Sequence, residues 1–253
     1  MVVDATVDAL YATFDRLTSL SPGMFSRVGD TGTRLVFTGL PMDTLNVVAV
    51  GRDSRLSEVD AFAVEMAALG APWSIVTRTE PDADLLDLAA RHGRTSSSTL
   101  PLLVWDAELL PTLPADVPPG ATVRRIAGGD GAVYAEAMAQ GFGMPRGIAD
   151  AFATPEILDA PGSAAFVLEV AGEAVATGYN MLVGDQVGMY NGSVPPAHRG
   201  RGYYRALVAA RLRHAVAASA RHAFTQNTPM SRPLYESFGF QLAEEWTYLT
   251  AAS

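Results

Sequence analysis

The chain has 253 residues, a net charge of −9 and 49% hydrophobic residues, enough for one large folded domain or two of ordinary size and too apolar for a disordered polymer. All 18 basic residues are arginine and cysteine is absent, which excludes a lysine-dependent phosphate loop, a lysine Schiff base, thiol nucleophiles, disulfides and cysteine-bound zinc or iron–sulfur. The acidic balance speaks against a nucleic-acid surface, which needs basic residues clustered on one face. Lysine-free, alanine-rich usage points to a GC-rich bacterial genome.

At the N-terminus, MVVDATVDALYATFDRL places Asp4 and Asp8 where a secretion signal would carry positive charge. No stretch approaches the roughly 20 apolar residues of a membrane span. A cytoplasmic protein without a membrane partner is expected. The first regular elements read from the sequence are a strand NVVAV (46–50), a helix over about 57–69, a strand PWSIVTR, a helix ADLLDLAARH ending at Gly93, and a strand LPLLVWD. The stretch PTLPADVPPGATV, with Pro111, Pro114, Pro118 and Pro119, interrupts helix and sheet alike and predicts a domain boundary near residue 118.

Beyond it the pattern predicts a strand ATVRRIA, a helix over about 132–140, an irregular GFGMPRG, and a helical piece over about 148–158. AAFVLEV, EAVATGYNMLV and VGMYNGSV follow as a meander of three strands joined by AGE and GDQ. A helix over about 202–219 presents Leu207, Val208, Leu212 and Val216 on one face. The strand HAFTQN leads to a helix that Ser231 is expected to cap and Gly239 to terminate, and EEWTYLTA forms the last strand. Setting Val50 against Val194 and Gly93 against Gly239 gives offsets of 144 and 146 residues, so the first half reads as a partial repeat of the second. Chance alternation of strands and helices is the competing explanation.

The stretch that carries chemistry is SVPPAHRGRGYYRALV. A strand stops at a proline pair, Gly200 and Gly202 permit a turn that a ligand can approach, and a helix begins. The unpaired N–H groups of its first turn make an anion site, with Arg199 and Arg201 beside it. A glycine-softened loop with solvated arginines is the alternative. A dinucleotide-binding fingerprint fits poorly, since it needs Gly-x-Gly-x-x-Gly and a parallel sheet, whereas hairpins precede this loop.

Residues 119–253 resemble the GNAT superfamily of acyl-CoA-dependent N-acetyltransferases. Its pyrophosphate loop, Arg/Gln-x-x-Gly-x-Gly/Ala, is matched by Arg199, Gly200, Arg201, Gly202, Tyr203 and Tyr204, with Tyr204 where the family has a small residue. A second element, an asparagine before Leu-Tyr-Glu-x-x-Gly-Phe, is matched by Asn227 and PLYESFGF, Pro233 to Phe240. The resemblance implies an α+β fold of two tandem GNAT-like domains, 1–118 and 119–253, each a mixed, mostly antiparallel central sheet flanked by helices. The N-terminal one is degenerate, because NVVAV runs into GRDSRLSEVD, with acids and no second glycine. Covering the sheet edge and shaping the acceptor site is one expected duty for it, and plain packing the other.

The resemblance further implies transfer of an acetyl or other acyl group from acetyl-CoA to a primary amine, on a small molecule or peptide, by direct attack in a ternary complex without a metal. The strand before the loop, Tyr190 to Val194, would splay from its neighbour, with Ser193 and Val194 holding pantetheine and polarising the thioester carbonyl. Tyr235 would protonate the departing thiolate; a core aromatic is the alternative. Asn227 would hydrogen-bond the CoA arm or else cap the turn before Pro229. Glu136, Glu169 and Glu236 are all eligible as general base, and Phe142 with Met144 offers an apolar wall for the acceptor. His92, His198, His214 and His222 sit where surface or helix-end roles are expected. A non-catalytic acyl-CoA-binding regulatory or scaffolding protein is the alternative function.

Overall fold

The computed structural model describes residues 2–114 and 116–252. In chain order, α1 (Val2–Leu20) is followed by the hairpin β1 (Phe25–Val28) and β2 (Arg34–Phe37), then by β3 (Val47–Ala49), α2 (Leu56–Ala68), β4 (Ser74–Thr77), α3 (Ala83–Arg91) and β5 (Ser96–Asp106). The second half runs β6 (Ala121–Ile126), α4 (Gly131–Phe142), α5 (Arg146–Asp150), α6 (Pro155–Leu158), β7 (Ser163–Val170), β8 (Glu173–Val183), β9 (Gln186–Ser193), α7 (Tyr203–Ala217), β10 (His222–Gln226), α8 (Arg232–Glu236) and β11 (Gln241–Thr250). Two compact units arise from separated stretches of chain. One takes the residues up to Thr13 and Leu103–Gln241; the other takes Phe14–Leu102 and the residues from Leu242 onward. The proline-rich stretch at residue 118 lies inside the first of these.

In the first unit the strands β6, β7, β8 and β9 form an antiparallel meander, and β10 joins β9 in parallel. Tight turns at Gly172 (φ +83°) and Gly184 (φ +59°) close the two hairpins, as glycine alone adopts that backbone without strain. The parallel pair requires a crossover, and α7 supplies it. Its stripe buries Val208 and Leu212 with Val187, Met189, Phe238 and Phe240, while Leu207 and Tyr203 pack on Phe166 and Leu168. Truncating Leu207 to alanine would cost about 2–5 kcal/mol through lost burial and the cavity left behind.

The second unit repeats the scheme. β1, β2 and β3 are antiparallel, β3 and β4 pair in parallel through the crossover helix α2, and β11 adds antiparallel to β4. Its core gathers Leu35, Val48, Val59, Phe62, Met66, Ile75 and Leu88.

Three expectations change. Residues 2–37 form a helix and a hairpin that the sequence pattern does not predict. The inward stripe of α1 includes Thr6 and Thr13, both fully buried, beside Val7, Ala9 and Leu10, so polar letters interrupt the hydrophobic period. Thr13 satisfies its hydroxyl on Ala9 O at 2.9 Å. The helical piece over 148–158 is two short helices, because Pro155 sets its predecessor Thr154 extended (φ −72°, ψ 152°). Ser231 does not cap α8; its own backbone is helical, and its hydroxyl donates back to Thr228 O at 3.3 Å.

Candidate active site

The site grows from the end of β9. Parallel pairing with β10 covers His222↔Gln186, Ala223↔Val187 and Phe224↔Gly188 and goes no further, although β9 runs on to Ser193. The Thr225 hydroxyl donates to Met189 O at 3.1 Å and marks the base of the fork. On its other side, β9 carries an extra residue. Thr177 faces Ser193 but Tyr179 faces Tyr190, and Asn191 takes φ +52°. Such a bulge bends a strand and frees backbone groups from the ladder.

Ser193 at the mouth of the fork is buried, its hydroxyl 2.7 Å from that of Thr177, which donates to Asn191 O at 2.9 Å. Gly141 of α4 packs so close that a β-carbon there would fall 2.2 Å from the Ser193 hydroxyl. Val194 leads into the loop, and its carbonyl accepts from Arg199 Nε at 3.0 Å. Arg199 is thereby turned along the loop, with Nη2 on Gly141 O at 3.4 Å and Nη1 3.7 Å from Met230 Sδ, while Arg201 is exposed. Gly200 (φ +74°) and Gly202 (φ +78°) both adopt the left-handed backbone, and Gly202 precedes the first residue of α7. The start of a 15-residue helix thus opens beside two arginines with no side chain between.

Tyr203 is buried in the core under β7. Tyr204, half-buried, turns toward α8 instead. Its hydroxyl lies 2.8 Å from that of Tyr235, with the rings edge to face at 6.2 Å. Tyr235 is 2% exposed and packs edge-on against Phe240. Burial, then the neighbouring Tyr235, pushes the Tyr204 phenol well above its ordinary range, so it is protonated at neutral pH. Asn227, 6% exposed, leaves both amide atoms without a hydrogen-bond partner. A buried amide in that condition costs about 1–3 kcal/mol until something pairs with it, and it sits one residue beyond the fork strand β10.

The three glutamates considered as base are each engaged by arginine: Glu136 by Arg146, Glu169 by Arg124 at 2.9 Å, Glu236 by Arg232 at 2.7 Å. Glu136 is held below the usual carboxylate range by Gln140 and then Arg146, opposite to what an effective base at neutral pH requires. Among the histidines, His92 meets Asp60 at 2.7 Å, His222 lies 3.6 Å from Asp106, and burial lowers His214. Phe142 is exposed at the end of α4 and Met144 half-buried just after it.

Arg211 was not singled out in the sequence. It is fully buried on α7, with Nε on Asn180 Oδ1 at 2.9 Å and Nη2 on the carbonyls of Tyr179 and Tyr190 at 2.6 and 3.1 Å. It thereby ties the helix to both strands beside the bulge. The available signal was position, since Arg211 sits between Leu207, Val208 and Leu212 on the inward stripe.

Among the described residues no group of three histidine, aspartate or glutamate side chains is placed to hold a metal, and no helix is long and apolar enough to cross a membrane.

Residues 134–240 match the model of the acetyltransferase (GNAT) family. No curated protein sequence matches the chain. Among solved structures, a GCN5-related N-acetyltransferase from Kribbella flavida superposes with a TM-score of 0.69 at 16% identity, covering 97% of this chain and 95% of that one. A GCN5-related N-acetyltransferase-like protein from Streptococcus suis gives 0.63 at 12% identity over 97% and 99%. A tandem GNAT protein from the clavulanic acid biosynthesis pathway gives 0.61 at 16% identity over 98% and 95%. Likeness at such low identity speaks for the fold, and it extends over nearly the whole chain rather than its second half alone. The chain therefore has the fold of these GNAT proteins, the tandem one included, with residues 134–240 matching the acetyltransferase (GNAT) family model.

Proposed function

We propose that the protein is an N-acetyltransferase that moves an acetyl group from acetyl-CoA to a primary amine by direct attack in a ternary complex. Residues 119–253 carry the chemistry and residues 1–118 are a degenerate copy. The observation that carries this reading is the fork: β9 leaves β10 after Gly188 and ends beside a helix start flanked by left-handed glycines. An extended thioester arm needs such a slot, and a pyrophosphate needs such a helix start.

In this reading the α7 N-terminus with Gly200, Arg201, Gly202 and Tyr203 receives the pyrophosphate, and Arg199 holds the loop in shape. Ser193 and Val194 line the mouth of the fork, where backbone groups hold pantetheine and polarise the thioester carbonyl. The orphaned amide of Asn227 supports a polar partner in the arm. The amine nitrogen bonds to the thioester carbon, the C–S bond breaks as the tetrahedral intermediate collapses, and Tyr235 O–H gives its proton to the sulfur. The nitrogen sheds a proton to solvent, and the Tyr235 phenolate regains one. The acidic chain favours cationic amines over anionic acceptors in its surroundings.

Isothermal titration with acetyl-CoA tests the reading: one site per chain is expected. Thiol release from acetyl-CoA should then rise with an amine from a panel of small amines and peptide N-termini. Absence of binding at millimolar acetyl-CoA would sink the proposal.

A further inference from the structure

The sixth place of the 199–204 loop holds a tyrosine where the resembling family keeps glycine or alanine, and the structure places that side chain beside the fork. The Tyr204 hydroxyl rests on the backbone of β9 at Gly192, where an added β-carbon would lie 1.8 Å from it, and joins the Tyr235 hydroxyl at 2.8 Å. Gly192 is the neighbour of Ser193, the residue at the mouth. The Tyr204 ring, with its hydroxyl paired to that of Tyr235, thus lies against β9 one residue in from the mouth of the fork, and at Met189 the Thr225 hydrogen bond closes it.

Size and polarity act together here. Lengthening the acyl group must displace a ring packed between α7 and β9, in a core with little free volume. It would also press methylenes against a pair of hydroxyls already satisfied by each other, and separating them leaves buried polar groups unpaired. We infer that Tyr204 sets the acyl-chain length this site accepts, admitting acetyl and refusing a chain as long as hexanoyl. The inference rests on the proposed function, in which the fork receives the acyl thioester.

The test is calorimetric titration of the full chain with acetyl-CoA and with hexanoyl-CoA, which carry the same nucleotide and pantetheine. The wild type should bind hexanoyl-CoA at least about tenfold more weakly than acetyl-CoA. Tyr204→Ala should bring the two affinities together or reverse their order, because a longer chain then finds apolar room. Tyr204→Phe, which keeps the ring, should retain the discrimination. Equal binding of both thioesters by the wild type overturns the inference by itself, even if the alanine variant does not fold. Undiminished discrimination in a folded Tyr204→Ala variant removes the assignment to Tyr204. If neither thioester binds the wild type, the acyl-CoA reading of the fork falls, and this inference with it.

Discussion

The segments β9–α7–β10 and β3–α2–β4 are the same device built twice: two parallel strands joined by a helix that packs on them. Their differences lie at the end of the first strand. β3 pairs with β4 through Ala49↔Val76, and Val50 N then donates to Val76 O at 2.8 Å, so no slot opens. β9 continues five residues past its last pair. The turns differ as well. After β9 come two glycines in left-handed backbone, Gly200 in open space and Gly202 with Pro118 Cγ 3.5 Å from where a β-carbon would lie. After β3 the turn is internally bonded, Gly51 N donating to Ser54 Oγ at 2.8 Å. The start of α2 already has an anion: Glu58 accepts from Thr31 N at 2.8 Å, Thr31 Oγ1 at 2.7 Å and Thr33 N at 3.0 Å. The two copies of the device thus differ in three local features: how far the strand pair is zipped, how the turn is bonded, and whether the chain itself supplies a carboxylate at the helix start.

The comparison breaks most readily at Gly202. Its φ of +78° disfavours any other residue, and an aspartate would set negative charge at the helix start. Gly202→Asp should reduce acetyl-CoA affinity by more than about a hundredfold, with the circular dichroism spectrum of the wild type. Retained affinity in a calorimetric titration would mean that the phosphates sit elsewhere.

Tyr235→Phe separates binding from chemistry. The ring packing against Phe240 is kept and the acid removed, so turnover with the fastest amine acceptor should fall about a hundredfold while acetyl-CoA affinity changes little. Buffer acids should partly rescue the variant and leave the wild type unaffected. Wild-type turnover under conditions where chemistry is rate-limiting would return Tyr235 to the role of a core aromatic.

Asn227→Ala should move two measurements in opposite directions. Without ligand, the variant should be more stable by about 1 kcal/mol, because it removes a buried amide with no partner. Acetyl-CoA affinity should fall about tenfold, the worth of one good hydrogen bond to a buried group. A drop in stability without ligand would indicate that the amide has a structural partner, and unchanged affinity would show that the CoA arm does not use it.

Much of this site was legible in the sequence because its signals are local. The Arg-Gly-Arg-Gly turn, the proline pair and the spacing from Asn227 to Tyr235 each specify a backbone state or a side chain within a few residues. The crossover helices and the meander were legible from their periods of 3.6 and 2. The fork was not readable from residues alone, since strand separation depends on which residues fail to pair across 36 positions of chain, from Gly188 to Phe224. Nor was the turn of Tyr204 toward α8: a tyrosine in a first helical turn reads as surface until its neighbour Gly192 is known to leave room for it. Arg211 stayed hidden because burying a guanidinium requires acceptors from three strand residues brought together only by folding. The helix α1 was obscured by buried threonines whose hydroxyls are satisfied either within the helix, as Thr13 on Ala9 O, or at a distance, as in Thr6 Oγ1 to Gln186 Oε1 at 3.0 Å.

The smallest expected effect is the one that sharpens the comparison from the side of β3–α2–β4. In Glu58→Gln the carboxylate at the start of α2 becomes neutral. Titration should still give a single acetyl-CoA site per chain, because β3 and β4 remain zipped; a second site would show that the carboxylate alone had closed the repeat. Stability should respond to pH. Hydrogen bonds from Thr31, outweighing the opposing effect of burial, and then from Thr33 hold Glu58 at a pKa of about 2, against 4.5 for an ordinary glutamate. A depressed value means that the unfolded chain takes up the proton first as pH falls, so the stabilisation is complete above about 4.5 and fades as pH drops toward 2. Wild type and Glu58→Gln should therefore differ most in urea midpoint at pH 6 to 7, with the gap narrowing as pH falls from about 4.5 toward 2. The group is partly open to solvent, so the gap should be modest and should shrink further in high salt. A gap that stays constant from pH 7 to 3 would assign the effect of Glu58 to side-chain packing, and the analogy between its carboxylate and a bound phosphate would lose its electrostatic basis.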